Sequence, residues 1–268
     1  AGKLLNNDQV AAAMRPPQAV SIQLPQPNTK RLEPREIAAR ARKALVRVGW
    51  FYLCPRCDQL HVNLSGGYAI TADGVVATCW HVVAPEKQDM INGHIIASDA
   101  DGNLMPVSAV LGFDRELDTA IVRVSPGRKL TPLPLNDQSR AGDAAFVLSD
   151  PLEYAGYFSG GIINRYYWRE GVAQRDADSL AAARSLRMNV STDWAPGSSG
   201  AAVLDGCGNV IGHVAVINAL SEDKPSRQGG NQEGKVGVSR AKETMIVLHE
   251  AITARGVKLL LEAMKQAF

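Results

Sequence analysis

The stretch STDWAPGSSGAAVLDGCGNVIG, Ser191 to Gly212, sets two adjacent serines between glycines, just after a proline and just before an apolar run that turns at Asp205-Gly206. It has two readings: a loop followed by a hairpin, or a nucleophile held beside backbone N–H donors. A serine between glycines is by itself ordinarily a turn. The chemical reading needs a base and a carboxylate elsewhere, because a serine hydroxyl attacks poorly at neutral pH until a base takes its proton.

The rest of the chain narrows the choice. Its 268 residues, 46% of them hydrophobic, suit one large all-β unit or two smaller ones. Lys and Arg number 29 against 27 Asp and Glu, a net charge of +2, so no nucleic-acid partner is expected. No apolar run approaches the roughly 18 to 20 residues of a membrane span. The first residue, Ala1, is not followed by the basic start and apolar core of a signal peptide. The chain reads as soluble, and a processed start is compatible with it. Four cysteines, Cys54, Cys57, Cys79 and Cys207, are too few for a disulfide scaffold and leave the redox compartment open.

Residues 1–33 are rich in Pro, Gln and Asn without a sustained period, which predicts an extended or partly disordered arm. The single domain then runs over 34–268. PREIAARARKALVRV opens with Pro34 at a first-turn position and puts Ile37, Ala41, Ala44 and Leu45 on one side, predicting a short helix that leads into a strand at 45–53. Short β-like runs follow, among them GYAITA, GVVATCW, TAIVRV, AAFVLS, GGIINRYYW, RMNVS, AAVL, NVIGHVAVI and ETMIVL, punctuated by Gly, Asp, Asn and Pro. The fold class is all-β. Asp73-Gly74 predicts a tight two-residue hairpin turn. Segments 169–185 and 219–237 read as surface loops, the first with room for a helical turn and the second mobile. Val257, Leu260, Leu261 and Met264 recur at helical spacing and predict a closing helix over about 254–267.

Five histidines are available as a base. His81 directly follows the apolar run GVVATCW, where a strand ends and a side chain can project into a cleft. Asp118 stands in DRELDTAIVRV at the mouth of another strand. Asp114 competes for the carboxylate role, and the pattern DTAIVRV favours Asp118. Ser199 completes the set.

WHVV, DTAIVRV and APGSSGAAVLDGCGNVIG, in that order, resemble the motifs around His, Asp and Ser in trypsin-like serine peptidases, particularly the bacterial HtrA (Deg) branch. SDPLEYAGYFSGGIINR and STDWAPG are similar to segments of that branch too, so the resemblance covers roughly 45–265. It implies two packed antiparallel β-barrels, the first about 45–140 and the second about 141–250, flanked by a short N-terminal and a C-terminal helix. It also implies a serine endopeptidase with a cleft between the barrels. In that reading Ser199 attacks a peptide carbonyl, His81 relays the proton, and Asp118 orients the imidazole. The N–H groups of Gly197 and Ser199 match the oxyanion hole, where one donor is worth about 3 kcal/mol. Ser198 stands where digestive relatives carry the aspartate that pairs with a freshly cut N-terminus, so activation by cleavage is not expected. Ala201 replaces a glycine common at its position.

Specificity is read more coarsely. Asp193 lies six residues before Ser199, where a simple count puts a selector for basic residues. By motif it aligns instead with the Thr-Asp of the HtrA approach, in a shorter loop. Val214, Ala215, Val216 and Ile217 are the expected pocket wall, and a small aliphatic P1 residue is the expected preference. His213 sits one place before the pocket histidine of glutamate-specific relatives, hence on the opposite face of a strand. His61, His94, His213 and His249 are expected at the surface or satisfied in the core.

CPRCDQLH, with Cys54, Cys57 and His61, resembles half of a zinc site or a short-loop disulfide; without a convincing second ligand pair it is assigned no metal, and free thiols stay open. No cofactor is expected. The expected partners are protein or peptide substrates, unfolded or extended; a homo-oligomer is open, although the N-terminal trimer segments of the branch find no match. The resemblance points to a periplasmic or secreted location, with no PDZ domain following the closing helix. The alternatives are a latent or inactive peptide-binding protein of the same fold, and esterase or acyl-transfer chemistry on the same residues.

Overall fold

A computed structural model describes residues 4–14, 22–87, 89–169, 179–222 and 243–265. Seven strands form the first sheet: β1 (Val46–Leu53), β2 (Leu60–Ser65), β3 (Tyr68–Ala69), β4 (Val75–Thr78), β5 (Ile91–Asp99), β6 (Leu104–Asp114) and β7 (Thr119–Val124). Their order is β2-β1-β5-β6-β7-β4-β3. The sheet curls until its start meets its end, where Leu45 bridges Tyr68 and Val46 N–H reaches Gly67 O at 3.1 Å. The second sheet is a closed barrel of β8 (Ala144–Ser149), β9 (Tyr157–Trp168), β10 (Leu186–Val190), β11 (Ala202–Leu204), β12 (Val210–Glu222) and β13 (Glu243–Thr253). All strand pairings within the two sheets are antiparallel. The all-β class and the trypsin-like arrangement are thus as expected, with the second barrel closed and the first a curled half-barrel.

Among the described residues five α-helices flank the sheets: α1 (Asn7–Ala13), α2 (Pro34–Ala44), α3 (Trp80–Val83), α4 (Leu180–Ser185) and α5 (Ala254–Lys265). Pro34 opens α2, and Ile37, Ala41 and Ala44 are its buried residues. In α5, Val257, Leu260, Leu261 and Met264 are all buried. They join Leu117 and Ile121 of the first barrel and Leu204, Val210 and Ile252 of the second in one apolar cluster. That cluster is the glue between the barrels.

The N-terminal arm departs from its predicted form. Asn6 and Gln9 make a capping box, so residues 7–13 form a helix whose Val10 is buried in the first barrel's core. One apolar anchor and two reciprocal caps suffice for so short a helix when tertiary packing supports it. Residues 22–33 are extended but bound: Asn28 exchanges hydrogen bonds with Asn209, and Leu32 N–H donates to Gly206 O at 2.9 Å. The Asp73-Gly74 turn also differs. Gly74 takes the expected positive φ of 101°, but Thr71 Oγ1 accepts the Val75 N–H at 3.0 Å, so the connection is wider than two residues. The expected helical turn in 169–185 is α4; residues 170–178 and the supposed mobile loop beyond Glu222 lie outside the described residues.

Gly256, in the first turn of α5, abuts Leu117: a Cβ there would lie 2.6 Å from Leu117 Cδ1. Ala ordinarily stabilises a helix over Gly by about 1 kcal/mol. Here Leu117 is fully buried and cannot retreat. Gly256→Ala is expected to lower the unfolding free energy by about 1–3 kcal/mol through overpacking, measured by urea denaturation; a stabilised variant would show that the barrel junction is loosely packed.

Candidate active site

Strand β4 ends at Thr78, and buried Cys79 leads directly into α3, which carries His81. Trp50 of β1 pins this turn by donating its indole N–H to Val82 O at 2.9 Å. Asp118 immediately precedes β7 and sits at φ 53°, a left-handed conformation unusual for a residue with a Cβ. Its Oδ1 accepts the His81 backbone N–H at 3.0 Å, and its Oδ2 lies 2.8 Å from His81 Nδ1. Burial pushes the Asp118 carboxyl up, but the hydrogen bonds and charge of His81 outweigh it and hold the group below the usual range. An ionised carboxylate can only accept, so Nδ1 carries the proton and Nε2 is the basic nitrogen.

Of the two carboxylates, Asp118 is the one in contact with His81. Asp114 is engaged elsewhere: its Oδ1 accepts Leu117 N–H at 2.9 Å and its Oδ2 pairs with Arg184 Nε at 2.8 Å. Arg187, fully buried, donates to Glu116 O at 3.1 Å and pairs with Glu250 at 3.3 Å. Arg184 and Arg187 come from α4 and β10 of the second barrel. They clamp the turn that presents Asp118, a role that sequence reading missed. The one signal available was a lone Arg set in the apolar run of β10.

Ser199 lies half-buried on the loop between β10 and β11. The loop is pressed against the end of β4: a Cβ on Gly200 would sit 2.5 Å from Thr78 Oγ1 and 3.0 Å from Cys79 N. Gly200 is at φ 82° and Gly197 at φ 97°. A Cβ on Gly197 would lie 2.7 Å from Asp150 O, so glycine is required there for both space and conformation. Asp150 is itself paired with Arg47 of the first barrel at 2.5 Å. Among the described residues the backbone N–H groups of Gly197 and Ser199 donate to no backbone acceptor. Ala201, in place of the common glycine, is fully buried, and the close approach passes to Gly66, whose Cβ would lie 2.5 Å from Ala201 N.

Val214 is buried in the second barrel's core, Ala215 packs on the inter-barrel cluster, Ile217 packs beside the core that contains Trp194, and Asp193 is exposed. Val214 serves instead through its backbone, accepting Gly200 N–H at 2.8 Å and the Cys79 thiol at 3.2 Å. Trp194 packs beside β12: its indole N–H donates to Val216 O at 3.3 Å, and its ring packs on His249 at 4.8 Å. His94 is half-buried, its Nδ1 3.0 Å from Asn92 O. His213 is buried, as one expectation had it, but not satisfied: Nδ1 has no partner among the described residues, and Nε2 lies 3.5 Å from Asp118 O.

Residues 65–212 match the family model described as the trypsin-like peptidase domain, more than half of the chain, and the chain belongs to that family. It is 31% identical over 117 residues to Protease Do-like 1, chloroplastic, of Arabidopsis thaliana, covering 42% of this chain and 25% of that relative. It is 29% identical over 177 residues to Serine protease PepD of Mycobacterium tuberculosis, covering 62% and 36%. The chain thus spans a quarter to just over a third of these relatives. They agree with the branch that the motifs resemble. Among the described residues no helix is long and apolar enough to cross a membrane.

Burial pushes the His213 pKa down to about 4. The unfolded histidine titrates near 6.5, so between these values the unfolded chain binds more protons and stability rises with pH. Acidification from pH 7 to 4 should remove on the order of 3 kcal/mol through this group. Urea midpoints of wild type and His213→Gln over that range check it: the variant's slope should be flatter, and equal slopes would contradict the assignment.

Proposed function

We propose that the chain is a serine endopeptidase in which Ser199, His81 and Asp118 act together. The observation that carries this reading is the His81–Asp118 pair beside a glycine loop packed on the strand end that leads to His81. The imidazole Nε2 takes the Ser199 proton as Oγ attacks the scissile carbonyl. The developing negative charge meets the N–H groups of Gly197 and Ser199. The imidazolium, stabilised by the Asp118 carboxylate, returns its proton to the leaving amine, and water then releases the acyl group by the reverse sequence.

Protein or peptide segments in extended form are the proposed substrates. A small aliphatic P1 residue remains the proposed preference, with Val214, Ala215 and Ile217 as the pocket residues that the resemblance suggests. A periplasmic or secreted location belongs to this reading and rests on the resemblance alone.

The alternative is a latent or inactive peptide-binding protein of the same fold. Ser199→Ala is expected to abolish casein cleavage while leaving Tm nearly unchanged, and peptides with Ala or Val at P1 should be cut faster than those with Arg or Phe. Cleavage that survives Ser199→Ala overturns the endopeptidase; wild type that binds casein without cutting it supports the latent state.

A further inference from the structure

The tip of the β1–β2 hairpin gathers three soft donors that packing does not explain. Cys57 and His61 are exposed and Cys54 is half-buried. Their ligand atoms lie within 4.8 Å of one another, with Cys57 Sγ 3.1 Å from His61 Nε2. The turn between the cysteines is tightly specified. Cys54 N–H donates to Gln59 O at 2.9 Å, Asp58 N–H donates to Cys54 O at 3.1 Å, and Asp58 takes a φ of 53°. His61 pairs with Tyr52 across the two strands, and the rings stack at 5.8 Å and 23°, which aims the imidazole toward the thiols.

We propose that Cys54, Cys57 and His61 bind a zinc-class divalent ion at the hairpin tip. Two thiolates and one imidazole form a donor set that zinc prefers. With metal–sulfur bonds of about 2.3 Å and metal–nitrogen bonds of about 2.0 Å, tetrahedral donors stand about 3.5 to 3.8 Å apart. Opening the 3.1 Å Cys57–His61 contact by a few tenths of an ångström therefore suffices. Binding displaces the two thiol protons and uses the Nε2 lone pair. The fourth position faces solvent and is taken by water, since the neighbouring Asp89 carboxylate is already paired with Arg56 at 2.8 Å.

The location gives the ion a consequence. Strand β2 is a sheet edge paired only with β1. Its Leu60 and Val62 are 67% and 57% exposed, so little core holds the tip in place. Val62, Asn63 and Leu64, immediately beyond His61, line a cleft of about 640 Å³ that reaches Gly197. An ion at the tip fixes one wall of that cleft.

The test uses the full chain, purified in reductant, stripped with chelator and titrated with Co²⁺ and Zn²⁺ alone. One equivalent of Co²⁺ should give a thiolate charge-transfer band and tetrahedral d–d bands that Zn²⁺ abolishes, and Zn²⁺ should raise Tm. Cys54→Ser and Cys57→Ser should lose the bands and the Tm shift, His61→Ala should weaken binding and move the d–d bands, and Cys207→Ser should behave as wild type. Bands that survive both Cys→Ser variants, no stoichiometric band in wild type, or a Cys54–Cys57 disulfide resistant to mild reductant would overturn the site. Each readout is independent of Ser199, so failure here leaves the peptidase reading untouched.

Discussion

Asp118 meets His81 with its backbone held in a left-handed conformation, a strain of order 1–3 kcal/mol that persists where surrounding contacts over-determine it. Those contacts span both barrels. Asp114 gathers the turn from within the first barrel by accepting Leu117 N–H. Arg184 grips Asp114, and Arg187 grips the Glu116 carbonyl, from the second. Arg187 is in turn neutralised by Glu250, which also takes hydrogen bonds from Tyr167 and Arg169. A buried charge of this kind is costly unless paired. Docking of the barrels and orientation of the imidazole are therefore one event.

The serine loop obeys a complementary constraint of space. Gly197 and Gly200 admit close approach of Asp150 O and Thr78 that any Cβ would block. Val214 ties the parts together through its main chain, which serves Gly200, Ala201 and the Cys79 thiol. Cys79 and His213 occupy the buried floor beneath the His81–Asp118 pair. Burial and the Asp118 charge push the Cys79 thiol well up, which keeps a potential competitor protonated. The floor is thus neutral, and the Asp118 charge is left to act on His81.

Much of this could be read from the chain because punctuation and periodicity are local. Pro34 opens α2, the α5 face repeats at helical spacing, and Gly-flanked β-rich runs mark β7, β8, β9 and β11. Strands β2, β5 and β6 escaped for identifiable reasons. The first is exposed along its first four residues, the second opens with Asn92-Gly93, and the third contains Pro106 and two register shifts against β7. Helix α1 escaped because its burial rests on the single residue Val10. At the site, His81, Asp118 and Ser199 carry local motifs. The residues that support them depend on contacts formed only when the barrels meet. Strand alternation does not say which face meets the core, so it could not tell that the Val214 side chain is buried there.

The central claim, that an imidazole oriented by Asp118 activates Ser199, is tested most directly by the rate of fluorophosphonate labelling with the modified peptide mapped. The label should fall on Ser199 and the rate should drop about 10⁴-fold in Asp118→Asn, where the imidazole adopts the wrong tautomer. Labelling at another residue, or a rate at Ser199 indifferent to Asp118→Asn, would contradict it.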